Sequence, residues 1–460
     1  MDMLKFLFTT GLFLFFPLLT LVSCDDDEHI KENNNKTEEF YGEPFDKMPL
    51  PDDVVMYQAN ERVFAANGSF AAITQDLDRI KSLGVNVLWL MPVNEQGQEK
   101  AIGSPYCIKN YTKTNPEYGS LNDLRKLVEE AHNREIAVII DWVANHTSWD
   151  NEWLRKYPDW YMKDGNGNPM PPAGTNWNDV VDLDFTNLAM RKEMIEAMKF
   201  WVREANIDGF RCDAADWVPV DFWRETIYEL RNMQSNRVIL MLAEGTEPKN
   251  LQVGFDMDYA WNFCDVLESV FNGTKSVASL YQSHYNEFAM IPSGKQKLRH
   301  NTNHDRAFEH SPLAKYKNSN GALASFVISS TLGGVPLIYS SQEVAYPNTI
   351  NFFNYVPVNW DSNPNVFAEY QKIMNIYNSF KGFRKGELKV YEHNDVVCFS
   401  YTLNAQQVFV LVNVRDRAIS FPAPQGLAGS QCYDLMNNSA LQITENISLS
   451  PFQFIFLETE

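Results

Sequence analysis

Ile136-Ala137-Val138-Ile139-Ile140-Asp141 is an unbroken apolar run that stops on a carboxylate. A strand with one wet face alternates apolar and polar residues, so a continuous run points to a strand covered on both faces, as in a parallel sheet. Just upstream, Ser120 and Asp123 form a capping-box pattern before Leu124, Leu127, Val128 and Ala131, which repeat at helical spacing. The same unit occurs earlier: Ser69 as a helix cap, Phe70, Ile73, Leu77, Ile80 and Leu83 on one face, Gly84 as the stop, and Val85 to Leu90 as a strand. Counting outward, strands are expected near residues 54–58, 85–90, 136–141, 207–213, 238–244, 253–258, 297–303 and 335–340, with helices between them. Eight such strands predict an α/β fold, a (β/α)8 TIM barrel, whose chemistry gathers where the strands end.

Acids stand at those ends. Asp213 follows Gly209-Phe210-Arg211-Cys212, Glu244 follows Ile239-Leu240-Met241-Leu242-Ala243, and Asp305 follows Asn301-Thr302-Asn303-His304. An ionised side chain beside an apolar strand is costly unless paired or solvated, so three of them suggest a polar pocket built for acid chemistry. Any one alone could simply cap the next helix; capping does not require the neighbouring Arg211 or the Asn-His-Asp run.

The barrel is expected over residues 51–382, with a short inserted subdomain at about 142–186, where a Trp-, Asp-, Asn-, Pro- and Gly-rich connection is too long for an ordinary loop. After that the helical period fades. Alternating segments such as Val408-Phe409-Val410-Leu411-Val412 and Phe452-Gln453-Phe454-Ile455-Phe456 predict a C-terminal antiparallel β-sandwich domain over 383–460.

The net charge of −20 excludes a polyanionic partner such as nucleic acid, which needs a basic face. Leu4 to Val22 is almost wholly apolar, and Leu21-Val22-Ser23-Cys24 resembles a lipoprotein cleavage box, so residues 1–23 read as a lipoprotein signal peptide, with Cys24 the expected lipidation site and the membrane a partner through that anchor. The competing reading is an uncleaved membrane-spanning anchor. Residues 24–50, opening on Asp25-Asp26-Asp27-Glu28, read as a flexible acidic tether that resembles the surface-export signal of Bacteroides-type lipoproteins; a plain solvated spacer is the alternative. The implied location is the outer membrane, surface-exposed, or otherwise the periplasm. The remaining five cysteines show no metal or redox spacing, and only Cys398 with Cys432 suggests a bridge worth testing.

Several motifs, in order, resemble the α-amylase family, glycoside hydrolase family 13. These are Asp141-Trp142-Val143-Ala144-Asn145-His146, Gly209-Phe210-Arg211-Cys212-Asp213, Leu242-Ala243-Glu244-Gly245, Asn303-His304-Asp305, and Gly334-Val335-Pro336-Leu337-Ile338-Tyr339 with Gln342-Glu343. The resemblance implies a retaining α-glycosidase acting as a monomer on α-glucans, most of all α-1,4 bonds of starch or maltooligosaccharides. Asp213 would be the nucleophile, Glu244 the acid/base, and Asp305 a transition-state stabiliser. Tyr106, His146, Arg211, Trp217 and His304 would bind substrate, Trp160 and Trp177 are further stacking candidates, and Asp141 is assigned to structure beside Arg211. Asn145 and Asp182 would be calcium ligands if the metal is bound, though calcium-free members exist; no organic cofactor is implied. Asp216-Trp217 replaces the commoner Lys-His after the nucleophile, which bears on preference at the leaving-group side. The alternatives are a transglycosylase or α-1,6-debranching enzyme on the same scaffold, and a noncatalytic glycan-binding surface lipoprotein.

Overall fold

The computed structural model describes residues 39–459; the leader, Cys24 and most of the tether lie outside the described residues. Eight parallel strands close into a barrel: β1 (Met56–Ala59), β2 (Val87–Leu90), β3 (Ala137–Trp142), β4 (Gly209–Cys212), β5 (Leu240–Ala243), β6 (Met257–Tyr259), β7 (Gln296–Arg299) and β8 (Val335–Tyr339), each beside its neighbours in sequence and β8 beside β1. Alternate residues face inward. Met56, Val87, Trp89, Ala137, Ile139, Leu240, Leu242, Met257, Tyr259, Leu298, Val335 and Leu337 fill the interior. Tyr57, Leu88, Val138, Ile140, Phe210, Met241 and Ile338 point the other way, into the helix layer. That second, larger core explains why these strands read as continuous apolar runs.

Several boundaries differ from the sequence expectation. Ser69 is the first residue of helix Ser69–Ser82 rather than its cap; Gly68, at φ 74°, precedes it, and the Ser69 hydroxyl donates to Ala65 O at 3.1 Å. The Ser120–Asp123 capping box is present in full. The strand expected at 253–258 is confined to β6, because Pro248–Val253 forms a helix with Pro at its start, where a missing N–H costs nothing. β7 stops at Arg299, and Asp305 lies not on a strand end but in the first turn of helix His304–Glu309, capped by Asn303. The acidic tether cannot extend to residue 50, since Phe45 is buried and stacks on His132 at 4.5 Å and Tyr41 N–H bonds Arg203 O. A hairpin after β2, Asn94–Gln96 with Ile108–Thr114, has no counterpart in the sequence reading.

Beyond the barrel, a six-stranded antiparallel sheet runs in the order Glu387–Tyr391, Val396–Leu403, Gln406–Asn413, Phe454–Thr459, Gln431–Asp434, Ser439–Gln442. One face, with Val397, Phe399, Val408, Val410 and Phe456, joins the barrel's outer core; the other, with Val396, Phe409 and Leu411, packs under the separate pair Ile419–Pro422 and Asn446–Leu449. Cys398 and Cys432 are free and buried. Two strands separate theirs, so three strand spacings of about 4.8 Å put them roughly 14 Å apart, far beyond disulfide reach.

Candidate active site

The inward parity of the strands carries straight into the site. Positions 137 and 139 lead to Asp141, 209 leads to Arg211 and Asp213, and 240 and 242 lead to Glu244, so polar side chains replace apolar ones as the interior reaches its C-terminal mouth. Asp141 is register-paired with Arg211, and Cys212 with Ala243. The ladder extends one step further, Asp213 N–H to Trp142 O and Glu244 N–H to Cys212 O, both 2.9 Å, which sets the two acids on neighbouring strand ends. Gly209 is required here, because a Cβ would collide with the Leu240 backbone carbonyl where β4 and β5 begin.

One guanidinium organises three carboxylates. Arg211, fully buried, donates from Nη1 to Asp141 Oδ1 at 2.7 Å and to Asp213 Oδ1 at 2.9 Å. Its Nη2 lies 2.7 Å from Glu244 Oε1, an ion contact without hydrogen-bond alignment. Nε donates to Tyr259 Oη at 3.2 Å. The facing oxygens of Asp213 and Glu244 are thus separated by no more than two such contacts and the width of one guanidinium. Glu244 Oε2 accepts the Ala214 N–H at 2.7 Å. Ala214 makes that bond from a left-handed conformation (φ 43°, ψ 42°), a strained geometry for alanine worth about 1–3 kcal/mol.

Burial pushes all three carboxyls up: Asp141 to about 6, Asp213 to about 7 and Glu244 to about 8. Arg211 opposes the shift in each case, and neighbouring acids add to it, Asp213 and Asp305 acting on Glu244. One cation cannot neutralise three acids, so the cluster holds a proton near neutral pH, and Glu244 is its highest site.

The remaining wall is polar and aromatic. The Tyr106 hydroxyl lies 3.0 Å from Asp141 Oδ2 and 2.8 Å from His304 Nε2, and its ring stacks on His304 at 5.5 Å. With Gln58 Nε2 donating to His304 Nδ1 at 2.7 Å, the imidazole proton sits on Nε2, within 3.2 Å of Asp305 Oδ1. Burial lowers His146 and His304 to about 4, so both are neutral at pH 7.

Asp213, Glu244, Asp305, Tyr106, His146 and His304 line one cavity of about 230 Å³. Trp217 does not line it: half exposed, it stacks on Trp177 at 5.1 Å and faces an adjoining cavity, while Trp177 itself reaches the catalytic one. Trp160 packs between Trp153 and Tyr157, away from the site. Sequence reasoning missed Phe352 and Phe353, which line the cavity from the loop after β8, a stretch with no periodic signal.

Asn145 and Asp182 border that adjoining cavity together, Asn145 just before the segment His146–Ser148 and Asp182 at the end of its partner Val180–Asp182. Burial raises the Asp182 carboxyl to about 6. A cation would relieve that penalty, and the two side chains fit the start of a calcium shell of six to eight oxygens. Among the described residues no group of three or more His, Cys, Asp or Glu could hold a metal, so carbonyls and water would have to complete the shell.

A sequence profile described as "Alpha amylase, catalytic domain" matches residues 32–376. The alpha-amylase MalA of Haloarcula japonica is 28% identical over 314 residues, covering 65% of this chain and 45% of the relative. The chain spans less than two thirds of the length of the amylases it first matches in sequence. Among solved structures, the maltogenic alpha-amylase AmyB from Thermotoga neapolitana superposes with a TM-score of 0.80 at 26% identity, over 89% of this chain and 99% of that one. An alpha-amylase from Lactobacillus plantarum gives the same score and identity, over 89% and 100%. With a profile spanning most of the sequence and a barrel shared with solved α-amylases, this chain belongs to the α-amylase family.

Proposed function

We propose that the protein is a retaining α-glycosidase that hydrolyses α-glucosidic bonds, of α-1,4 type in starch or maltooligosaccharides, by double displacement. The observation that carries this is the shared Arg211 clamp: it contacts Asp213 and Glu244 from adjacent nitrogens, holding two carboxyls at one cavity mouth. Retention requires a nucleophile and an acid/base about 5–5.5 Å apart. Asp213, with the aligned bond to Arg211, attacks the anomeric carbon. Glu244, the more proton-retentive of the two, protonates the leaving oxygen, then takes a proton from the water that cleaves the glycosyl ester. Asp305 and the neutral imidazoles of His146 and His304 bind sugar hydroxyls, and the Tyr106 ring packs on the sugar face. The relatives' alpha-amylase names support the substrate class.

A calcium ion would be held by Asn145 and Asp182, tying the inserted segment to the end of β3; its contribution is structural. We further infer a lipid anchor at Cys24 on an outer-membrane protein, checked by loss of palmitate labelling in Cys24→Ala. The catalytic test is proton NMR of maltooligosaccharide cleavage: the α-anomer is expected first, and a β-anomer first would overturn double displacement. Asp213→Asn is expected to abolish turnover with an unchanged circular dichroism spectrum.

A further inference from the structure

The strand ring gives the cleft a direction. Glu244 directly follows β5, and in a closed ring of eight strands β5 lies opposite β1. The group that protonates the departing oxygen marks the leaving side. The retained sugar therefore points across the mouth toward β1, β2 and β8. That quarter is walled off by two phenyl rings. Phe352, 8% exposed, stands edge-on to Tyr106 at 5.9 Å and to His304 at 5.2 Å, and Phe353 crosses it at 4.9 Å.

Behind the rings Arg62, in the turn after β1, is 5% exposed and commits all three guanidinium nitrogens. Nη1 donates to the carbonyls of Gly103, Phe352 and Phe353 at 2.7, 3.1 and 3.0 Å. Nη2 donates to Gln96 and Glu117 at 2.7 and 3.0 Å, and Nε to Glu117 at 3.1 Å. The loops after β2 and β8 are thereby tied to β1. Gly103 packs so tightly that a Cβ there would come within 2.9 Å of the Phe353 carbonyl oxygen. The cavity in front holds about 230 Å³, below the roughly 300–1,000 Å³ of pockets for drug-sized ligands.

We propose that the Phe352–Phe353 wall, pinned by Arg62, makes the enzyme end-acting: it seats one non-reducing terminal glucose and releases it from α-glucan chains. This rests on the retaining α-glycosidase reading above. The two are separated by comparing maltoheptaose with the same oligomer blocked at its non-reducing end by a 4,6-O-ethylidene group. The wild type is expected to release glucose and maltohexaose first from free maltoheptaose and to cut the blocked oligomer about 100-fold more slowly. Phe353→Ala, at a half-buried position, is expected to narrow that ratio at least about tenfold, and Phe352→Ala further if it folds. Equal rates on both oligomers, or maltose and longer products first, would overturn end action while leaving the hydrolase reading intact. Inertness toward both oligomers and toward maltose would defeat the hydrolase reading and this inference with it.

Discussion

Arg211→Met removes the one cation shared by Asp141, Asp213 and Glu244, at contacts of 2.7, 2.9 and 2.7 Å. Removing one partner from a buried ionic cluster costs about 3–5 kcal/mol. Two of the three contacts are aligned charged hydrogen bonds, each about 1.5–3 kcal/mol, which together give about 3–6 kcal/mol and overlap that range. We expect a deficit of about 4 kcal/mol at pH 7.5, a large part of a typical stability of about 5–15 kcal/mol. The deficit must also depend on pH. In the folded enzyme burial raises Asp213 to about 7 and Glu244 to about 8, whereas unfolded carboxyls titrate near about 4. Between those values the folded state holds protons that the unfolded chain has released, so stability falls as pH rises through the window. Without Arg211 these acids hold their protons to still higher pH. Each further proton retained by the variant steepens its loss by about 1.4 kcal/mol per pH unit, and the pH slopes of the two proteins become equal where the clustered carboxyls are protonated in both folded states. Urea unfolding followed by tryptophan fluorescence at pH 4.5, 6 and 7.5 reads this directly. A deficit that is flat with pH, or larger at 4.5 than at 7.5, would refute the shared-cation argument.

Because Glu244 is raised to about 8 by burial and then by Asp213 and Asp305, kcat/KM should fall above about pH 8. Glu244→Gln should lose that limb and about 10²–10⁴ in rate on glucans; a limb persisting in Glu244→Gln, measured on an aryl α-glucoside with an activated leaving group, would assign it elsewhere. Asp216 Oδ2 accepts the Thr246 N–H at 2.9 Å and its Oδ1 the Asn250 amide at 2.6 Å, holding the turn that follows Glu244. Asp216→Ala loses both bonds and should therefore lower kcat at least about tenfold, with the alkaline limb displaced; an unchanged pH profile would make the residue purely structural. Calcium at about 100 times its Kd should stabilise the fold by about 2.7 kcal/mol, and Asp182→Asn should abolish the gain in Tm; no calcium response in the wild type would remove the metal from the account.

Much of this protein was legible in one dimension because its signals are local. Apolar runs such as 136–140 mark strands buried on both faces, and period-2 counting along β3, β4 and β5 already aims Asp141, Arg211, Asp213 and Glu244 inward. The Ser120–Asp123 capping box involves residues three apart and was equally plain, whereas Ser69 misled because any serine before a helical repeat looks like a cap. Trp217 looked like a sugar platform, yet its ring turned onto Trp177 beside the cavity.

What chain order determined was which side chains face the barrel axis and which acids stand at its mouth, since both follow from alternation along single strands. Only the tertiary structure decided that one guanidinium from β4 serves Asp141 on β3 and the acids just past β4 and β5, that Arg62 binds loops from β2 and β8 into a wall, and that two strands lie between those of Cys398 and Cys432. Those relations join residues up to 291 positions apart, and ring closure sets such distances while sequence spacing carries no trace of them.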